Sequence, residues 1–169
     1  IYGSSLVLLY LASTIYHWVP LSEAGIARLR KVDHTMIFLL IAGTYTPICL
    51  TALRGPWGWS LFGIIWGLAV FGIATRLLFM GAPRALYVGT YLAMGWVALI
   101  FMYPIIRSLS GGAIFWLFAG GAVYSIGAAG YAAKRPDPFP DVFGFHEIWH
   151  LFVMGGSLCH FYLIYNYLL

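Results

Sequence analysis

The chain has 169 residues, of which 62% are hydrophobic and 8% charged, and its mean hydropathy is +0.89. These values exclude an ordinary soluble domain, because water cannot be the main solvent of so apolar a chain. The formal net charge of +4 does not indicate a nucleic-acid partner. No basic stripe interleaved with aromatic residues is present to bind a phosphate backbone, and positive residues retained in cytoplasmic loops give the same excess.

Apolar runs of about 20 residues recur along the chain, and a helix of that length crosses the hydrocarbon core of a membrane. The runs do not alternate, and an open sheet could not satisfy its edge hydrogen bonds in lipid. We therefore predict an all-α fold, a polytopic transmembrane helix bundle forming a single domain, with long connections only at 20–31 and 134–142. Six spans are predicted, at 1–19, 32–53, 57–80, 85–106, 111–133 and 143–168.

Positive residues lie mostly on one side of these spans, and the positive-inside rule assigns that side to the cytoplasm. The first span then runs inward, and Leu169 lies outside the cell membrane. Because the chain opens at Ile1 within an apolar run and without a signal peptide, we expect one more span upstream and seven in the full-length protein. Two basic residues, Arg54 and Arg107, lie on the opposite side of the membrane. The basic residues on the cytoplasmic side are Arg28, Arg30, Lys31, Arg76, Arg84, Lys134 and Arg135.

Local sequence features add two expectations about the helices. Pro47 and Pro104 lie inside predicted spans and are expected to kink them. Small residues in the spans permit close helix contact, which we interpret as packing inside one bundle and not as a dimer face. They are Gly63 and Gly67, in a G-x-x-x-G arrangement, and Gly120, Gly121, Gly127 and Gly130 of the fifth predicted span.

Ionisable side chains in membrane spans are costly, so each is a functional candidate. With the predicted orientation, His17, Asp33, His146 and His150 all lie at the cytoplasmic level. His146 and His150 are four residues apart on one helix, so both imidazoles can face the same point. Three imidazoles with an open fourth position are typical of catalytic zinc, and Asp33 is placed to bind or orient the metal's water. The sequence therefore predicts zinc bound by His17, His146 and His150, although all-histidine sites accept other divalent metals.

Residues 146–150 also match H-E-x-x-H, in which Glu147 would be the general base of an intramembrane metalloprotease. This remains a minor interpretation, because the pattern is short and its extended metzincin form is not met. The next histidine after His150 is His160, roughly 15 Å further along the helix. At that distance His160 cannot share the metal, and we expect it to be a core histidine with a hydrogen-bond partner.

Four short motifs of polar residues lie at the ends of predicted helices and in the last predicted span. In chain order they are Ser13-x-x-x-His17, Asp33-His34, His146-x-x-x-His150 and His160-Phe161, within the segments LLYLASTIYH, KVDHTMIFLLIAGTYTP and GFHEIWHLFVMGGSLCHF. Each motif is weak alone, but together they are specific. Over its whole length the chain resembles the hemolysin III and progestin/adipoQ receptor family, and its bacterial branch in particular.

This resemblance implies seven helices with a cytoplasmic N-terminus and zinc ligation by His17 and the two histidines of the last span. It also implies that Asp33 joins the metal through water and that Ser13 lies beside it. The position of Glu147 is not fixed in the wider family, which weakens its case as a base. The related alkaline ceramidases imply a lipid amide, such as a ceramide-like molecule, as the substrate.

Three functions remain open from the sequence. The first is a zinc-dependent hydrolase of lipid amides or esters, with Asp33 taking up a proton and Ser13 or zinc stabilising the oxyanion. The second is a receptor or regulator of membrane homeostasis with structural zinc. The third is a pore-forming cytolysin, ranked last because no span shows the polar stripe of a water-filled lumen. Membrane lipids are the expected partners in each case, and the sequence leaves the oligomeric state open.

Overall fold

A computed structural model describes residues 1–79, 83–139 and 142–169. Within these ranges the chain is helical and contains no strand, only an isolated antiparallel bridge between Phe139 and Phe143. The all-α prediction is therefore confirmed. The chain divides into two compact units, Ile1–Pro83 and Arg84–Leu169, which are described in turn.

Unit 1 contains three long helices and one short distorted turn. They are α1 (Tyr2–Trp18), α2 (Glu23–Pro47), a π-helical turn (Ile48–Ala52) and α3 (Pro56–Leu78). Helix α1 ends where Val19 adopts an extended conformation, with φ −88° and ψ 117°. Pro20 follows directly, and proline excludes the residue before it from the helical region.

The start of α2 corrects a prediction from the sequence. The connection expected at 20–31 is helical from Glu23 onward, and the Ser22 hydroxyl accepts a hydrogen bond from the Gly25 N–H at 3.4 Å. The prediction placed these turns outside the span because their basic residues lower the mean hydropathy. Arg and Lys are nevertheless good helix formers, so the helix extends through them. Asp33 consequently lies well inside α2, rather than one position into a span.

The passage from α2 to α3 depends on two glycines. Gly55, with φ 84°, has the left-handed backbone that glycine adopts without a steric penalty, and Pro56 begins α3. At Gly58 a Cβ atom would overlap the Cys49 carbonyl oxygen of the π-helical turn. The first turn of α3 can therefore pack directly on that turn.

Close contacts also fix α2 against its neighbours in unit 1. A Cβ atom at Gly43 of α2 would overlap the Ser5 hydroxyl of α1, and one at Gly72 of α3 would overlap the Phe38 ring of α2. Ser5 and Phe38 are both buried. The first turns of α1 and the middle of α3 are thereby held closely against α2.

Unit 2 contains α4 (Arg84–Gly95), a 3-10 turn (Trp96–Leu99), α5 (Met102–Ser108), α6 (Gly111–Ala133) and α7 (Phe145–Tyr167). The predicted fifth span coincides with α6, and the sixth lies within two residues of α7 at each end. The predicted fourth span is broken instead, because Leu86–Leu99 and Met102–Ser108 are bent by 57°. Pro104 has no N–H to bond the Ile100 carbonyl, and the helix is interrupted at Ile100 and Phe101.

Helices α6 and α7 pack closely at two of the glycines that the sequence singled out, whereas Gly63 and Gly67 meet no neighbour within 4 Å. A Cβ atom at Gly120 would lie 2.5 Å from Nε2 of His160, and one at Gly127 would overlap Cβ of Phe152. The reverse contact occurs at Gly156 of α7, which faces the ring of Tyr124. Small residues on both helices thus permit large side chains to fill the contact.

In the described part of the chain, four helices are long and apolar enough to cross a membrane, and a fifth span results if the bent pair counts as one. The four are Glu23–Ala52, Pro56–Leu78, Gly111–Ala133 and Phe145–Tyr167. Helix α1 has 17 residues and is therefore only about 26 Å long. The transmembrane class is supported, but the predicted count of six spans is not confirmed.

Candidate metal centre

Two of the predicted zinc ligands face each other at the start of α7. The Nε2 atoms of His146 and His150 are 3.2 Å apart, and their rings are nearly perpendicular, at 85°. Two nitrogens on adjacent corners of a zinc tetrahedron, with Zn–N bonds of about 2.0–2.1 Å, are about 3.3 Å apart. The same separation also suits a hydrogen bond between the rings when one Nε2 carries a proton. The pair therefore fits two of the four coordination positions of zinc.

The first turn of α7 is fixed by carboxylates that bind its backbone. Glu147 Oε2 accepts a hydrogen bond from the Gly144 N–H at 2.8 Å, and Asp137 Oδ1 accepts one from the Phe145 N–H at 3.3 Å. Both contacts satisfy N–H groups that a helix start leaves without an intrahelical partner. Because the exposed Glu147 carboxylate is used in this way, the structure argues against its role as a general base.

Tyr131 of α6 packs against His146, a contact that the sequence did not predict. This buried ring lies 5.9 Å from the His146 ring and 5.4 Å from the Trp149 ring, measured between centroids. The contacts restrict the side-chain rotation of His146. The one available signal was the place of Tyr131 near the end of the fifth predicted span, at the depth of His146.

In unit 1 the remaining predicted site residues lie together. Ser13 and His17 are four residues apart on the last turns of α1, so they project from the same side of the helix. The Ser13 hydroxyl donates a hydrogen bond to the Asp33 carboxylate, and His17 is close enough to interact with it electrostatically. Asp33 itself is 7% exposed. A buried carboxylate needs such partners, because burial without them is unfavourable for its charge.

The structure also decides how Asp33 relates to the helix start. A carboxylate near the beginning of a helix often serves as its N-cap. In α2 that position is occupied by Ser22. The hydrogen bond to Asp33 therefore comes from a side chain of a second helix and not from the start of its own helix.

Two further histidines have different surroundings. Nδ1 of His34 in α2 is 2.6 Å from an Arg76 guanidinium nitrogen in α3, so the imidazole accepts a hydrogen bond from arginine. Sequence reasoning missed this pair, since 42 positions separate its members. His160 is buried and its Nε2 atom lies 3.2 Å from the Leu117 carbonyl oxygen. The prediction that His160 is a core histidine with a hydrogen-bond partner is confirmed.

The chemistry of these groups fits zinc. Neutral imidazole is a preferred zinc ligand, and a carboxylate near such ligands commonly orients them or the metal's water. Unit 2 supplies two imidazoles at the separation zinc requires. Unit 1 supplies His17 together with a carboxylate and a hydroxyl.

Comparison with known proteins gives the family. The family model described as "Haemolysin-III related" matches residues 1–161. Hemolysin-3 of Bacillus cereus is 41% identical over 170 residues, which cover 100% of this chain and 74% of that protein. The Hemolysin-3 homolog of Bacillus subtilis (strain 168) is 41% identical over 99% of this chain and 75% of its own length. The human Monocyte to macrophage differentiation factor is 28% identical over 99% of this chain and 69% of its own length. The chain therefore belongs to the haemolysin-III-related family of membrane proteins, the bacterial branch of the hemolysin III and progestin/adipoQ receptor family.

Proposed function

We propose that this membrane protein binds one zinc ion and hydrolyses an amide or ester bond of a membrane lipid. The observation that carries the proposal is the separation of 3.2 Å between the Nε2 atoms of His146 and His150. A catalytic zinc site has three protein ligands and one open position. His17 is the third ligand in this proposal, because the family motif supplies it and its neighbours in unit 1 are a hydroxyl and a carboxylate.

Each residue has a distinct role in the proposed reaction. Bound zinc would polarise the substrate carbonyl and make water a better nucleophile. The three histidines would hold it through neutral ring nitrogens. Asp33 accepts a proton from the attacking water on a carboxylate oxygen, and it returns that proton to the leaving amine or alcohol. Ser13 donates to Asp33, so it positions this carboxylate, a role that its hydrogen bond favours over stabilising an oxyanion.

The proposal is tested by zinc content and lipid turnover in the same purified protein. We expect about one zinc per chain by elemental analysis, and release of fatty acid from a fluorescent ceramide that stops when a chelator removes the metal. His146→Ala/His150→Ala should lose both zinc and turnover. His160→Gln is the control, since His160 bonds a backbone carbonyl in the core and should keep its zinc.

The outcomes separate the candidate functions. Full zinc content in the His146→Ala/His150→Ala protein would contradict the metal site itself. Zinc that is lost from this variant, together with no turnover of any lipid amide or ester by the wild type, would favour the regulator with structural zinc.

The name of the Bacillus cereus relative, Hemolysin-3, suggests a second candidate function, membrane permeabilisation. Within the described residues, buried hydroxyls of α2 bond to their own helix, as Thr44 does to the Leu40 carbonyl and Thr46 to the Ala42 carbonyl, both at 2.8 Å. Such groups do not provide the polar wall that a water-filled pore requires. Release of calcein from vesicles carrying the protein, at a rate unaffected by His146→Ala/His150→Ala, would favour permeabilisation over hydrolysis.

A further inference from the structure

We propose that the connection between α6 and α7 lies in the membrane surface and places apolar side chains among the lipid headgroups. The connection covers 134–144, of which the structure describes 134–139 and 142–144. Its apolar residues Phe139, Val142 and Phe143 are termed the apolar turn. The partner of this surface is the phospholipid leaflet, and the inference depends neither on bound zinc nor on hydrolysis.

The beginning of the connection stays close to the ends of both helices. The Arg135 N–H donates to the Gly130 carbonyl of α6 at 3.0 Å. Asp137 Oδ1 accepts a hydrogen bond at 3.3 Å from the N–H of Phe145, the first residue of α7. The chain therefore contacts α7 only four residues after α6 ends at Ala133, and this part of it does not extend away from the helix ends.

The apolar turn is closed by hydrogen bonds of its own backbone. The Phe143 N–H donates to the Phe139 carbonyl at 2.8 Å, and the Phe139 N–H donates to the Phe143 carbonyl at 3.2 Å. The Val142 N–H also donates to the Phe139 carbonyl, at 3.1 Å. Peptide groups that are paired in this way are less costly to remove from water. The turn is thus suited to a layer that contains little water.

The side chains of the apolar turn are exposed. The exposed fraction is 65% for Phe139, 82% for Val142 and 37% for Phe143. Directly opposed residues of an antiparallel bridge project to the same side, so both phenylalanine rings lie on one side of the turn. Exposed apolar side chains grouped on one short turn are unfavourable in water and indicate a contact surface.

The lengths of the helices identify the membrane surface as the partner. Helices α6 and α7 have 23 residues each, so each is about 35 Å long, against about 30 Å for the hydrocarbon core. Their ends therefore lie in the headgroup layer, which is roughly 5–7 Å thick on each side. Phe143 lies two residues before α7, no more than about 7 Å from its start. The turn is consequently located in the same layer, where apolar side chains can reach the acyl chains.

Basic residues beside the turn fit the same location. Lys134 and Arg135 follow α6 directly, and both are exposed. Long basic side chains at the end of a span typically extend towards the lipid headgroups. The connection thus presents cations to the phosphates and apolar groups to the chains, which matches a lipid leaflet. Because Phe143 precedes His146 by three residues, lipid at the turn lies within about 10 Å of the histidine pair.

The test measures the membrane depth of single labelled cysteines in the purified protein, reconstituted in phosphatidylcholine nanodiscs that leave both faces open to buffer. In a background with Cys49→Ala and Cys159→Ala, Phe139→Cys and Val142→Cys each carry the polarity-sensitive dye NBD. We expect both labels to emit at shorter wavelengths than the dye does in water. Lipid with a doxyl group at carbon 5 of its chain should quench both labels more strongly than aqueous iodide does.

Two matched positions calibrate the quenching. Arg135→Cys lies in the same connection at an exposed basic position, and its label should be quenched mainly by iodide. Ile126→Cys lies seven residues before the end of α6, about 10 Å further into the span, at a position that is 59% exposed. Its label should be quenched by the doxyl lipid alone.

The proposal requires quenching by lipid at both positions of the turn. Stronger quenching by iodide than by doxyl lipid at either position 139 or position 142 would overturn it, because the turn would then lie in water. A label that neither quencher reaches would also overturn it, because that position would then be covered by protein.

Discussion

The carboxylate of Asp33 lies in surroundings unlike those of an interfacial aspartate. It is buried inside α2, it accepts a hydrogen bond from Ser13 of α1, and it interacts with His17. An exposed aspartate that only compensates nearby basic residues would need none of these contacts. The arrangement suits a group that must be held in one orientation to accept a proton.

Replacing Asp33 by asparagine should therefore affect hydrolysis more than metal binding. Asparagine keeps a hydrogen-bond acceptor but cannot take up a proton. We expect zinc affinity to fall modestly, on the order of 10-fold to 100-fold, and turnover of a lipid amide to fall much further. The measurement pairs zinc titration with turnover for the wild type and for Asp33→Asn. If the wild type is active and the variant matches it, Asp33 is not the base.

Ser13 should act through Asp33 and not on the metal. Ser13→Ala removes the hydroxyl that donates to the carboxylate, and we expect kcat to fall while zinc content and KM change little. Ser13→Thr retains a hydroxyl and should recover most of the lost rate. A Ser13→Ala protein that loses its zinc would show instead that this residue belongs to the metal site.

At the scale of the helices, a close contact between α6 and α7 predicts a stability effect. An alanine methyl group at Gly120 would force the His160 ring away from α6 and break its hydrogen bond to Leu117. Overpacking of this kind typically destabilises by about 1–3 kcal/mol. Gly63→Ala is the matched control, because a Cβ atom there meets nothing within 4 Å.

Thermal unfolding followed by circular dichroism in detergent would measure both variants. Gly120→Ala should lower the midpoint. Gly63→Ala should leave it unchanged or raise it slightly, since alanine is the better helix former. Equal midpoints in the two variants would show that the α6–α7 contact adapts without loss.

The elements show how far hydropathy alone can locate helices. Helix α6 was predicted at its observed bounds, because it is apolar throughout and ends at charged Lys134. The start of α2 was missed since its first turns carry charges beyond the apolar run, and a span criterion counts charges against a helix. The sequence predicted a kink at Pro104 but not the position of the helix break before α5. That position depends on which backbone carbonyl loses its hydrogen bond because proline has no N–H.

For the molecule as a whole, the distribution of charge predicts the orientation of the chain. Arg135 should face the cytoplasm and Arg107 the opposite side. In a background with Cys49→Ala and Cys159→Ala, a single cysteine placed at Arg107 should react with a membrane-impermeant thiol reagent in intact cells. A cysteine placed at Arg135 should react only after lysis, and the reverse pattern would contradict the predicted topology.

The sequence was sufficient to predict which residues form the candidate site, but not which other side chains contact them. Spacing alone indicated that His146 and His150 share one side of a helix, since four residues make about one turn. The ring of Tyr131 against His146 and the Arg76–His34 pair join residues that are distant along the chain. Periodicity cannot reveal such pairs, because it describes one helix at a time.

The π-helical turn after α2 has a consequence for how the chain length can vary in evolution. Leu53 N–H bonds the Ile48 carbonyl five residues earlier at 3.0 Å, and the Thr51 hydroxyl donates to the Pro47 carbonyl at 2.7 Å. A π turn holds one residue more than an α-helix has room for, as if one residue had been inserted. Loss of a single residue here would restore an ordinary α-helical turn, whereas the same deletion elsewhere in α2 would rotate all later side chains by about 100°. Homologues that are one residue shorter in this turn should therefore retain the same burial pattern on either side of it.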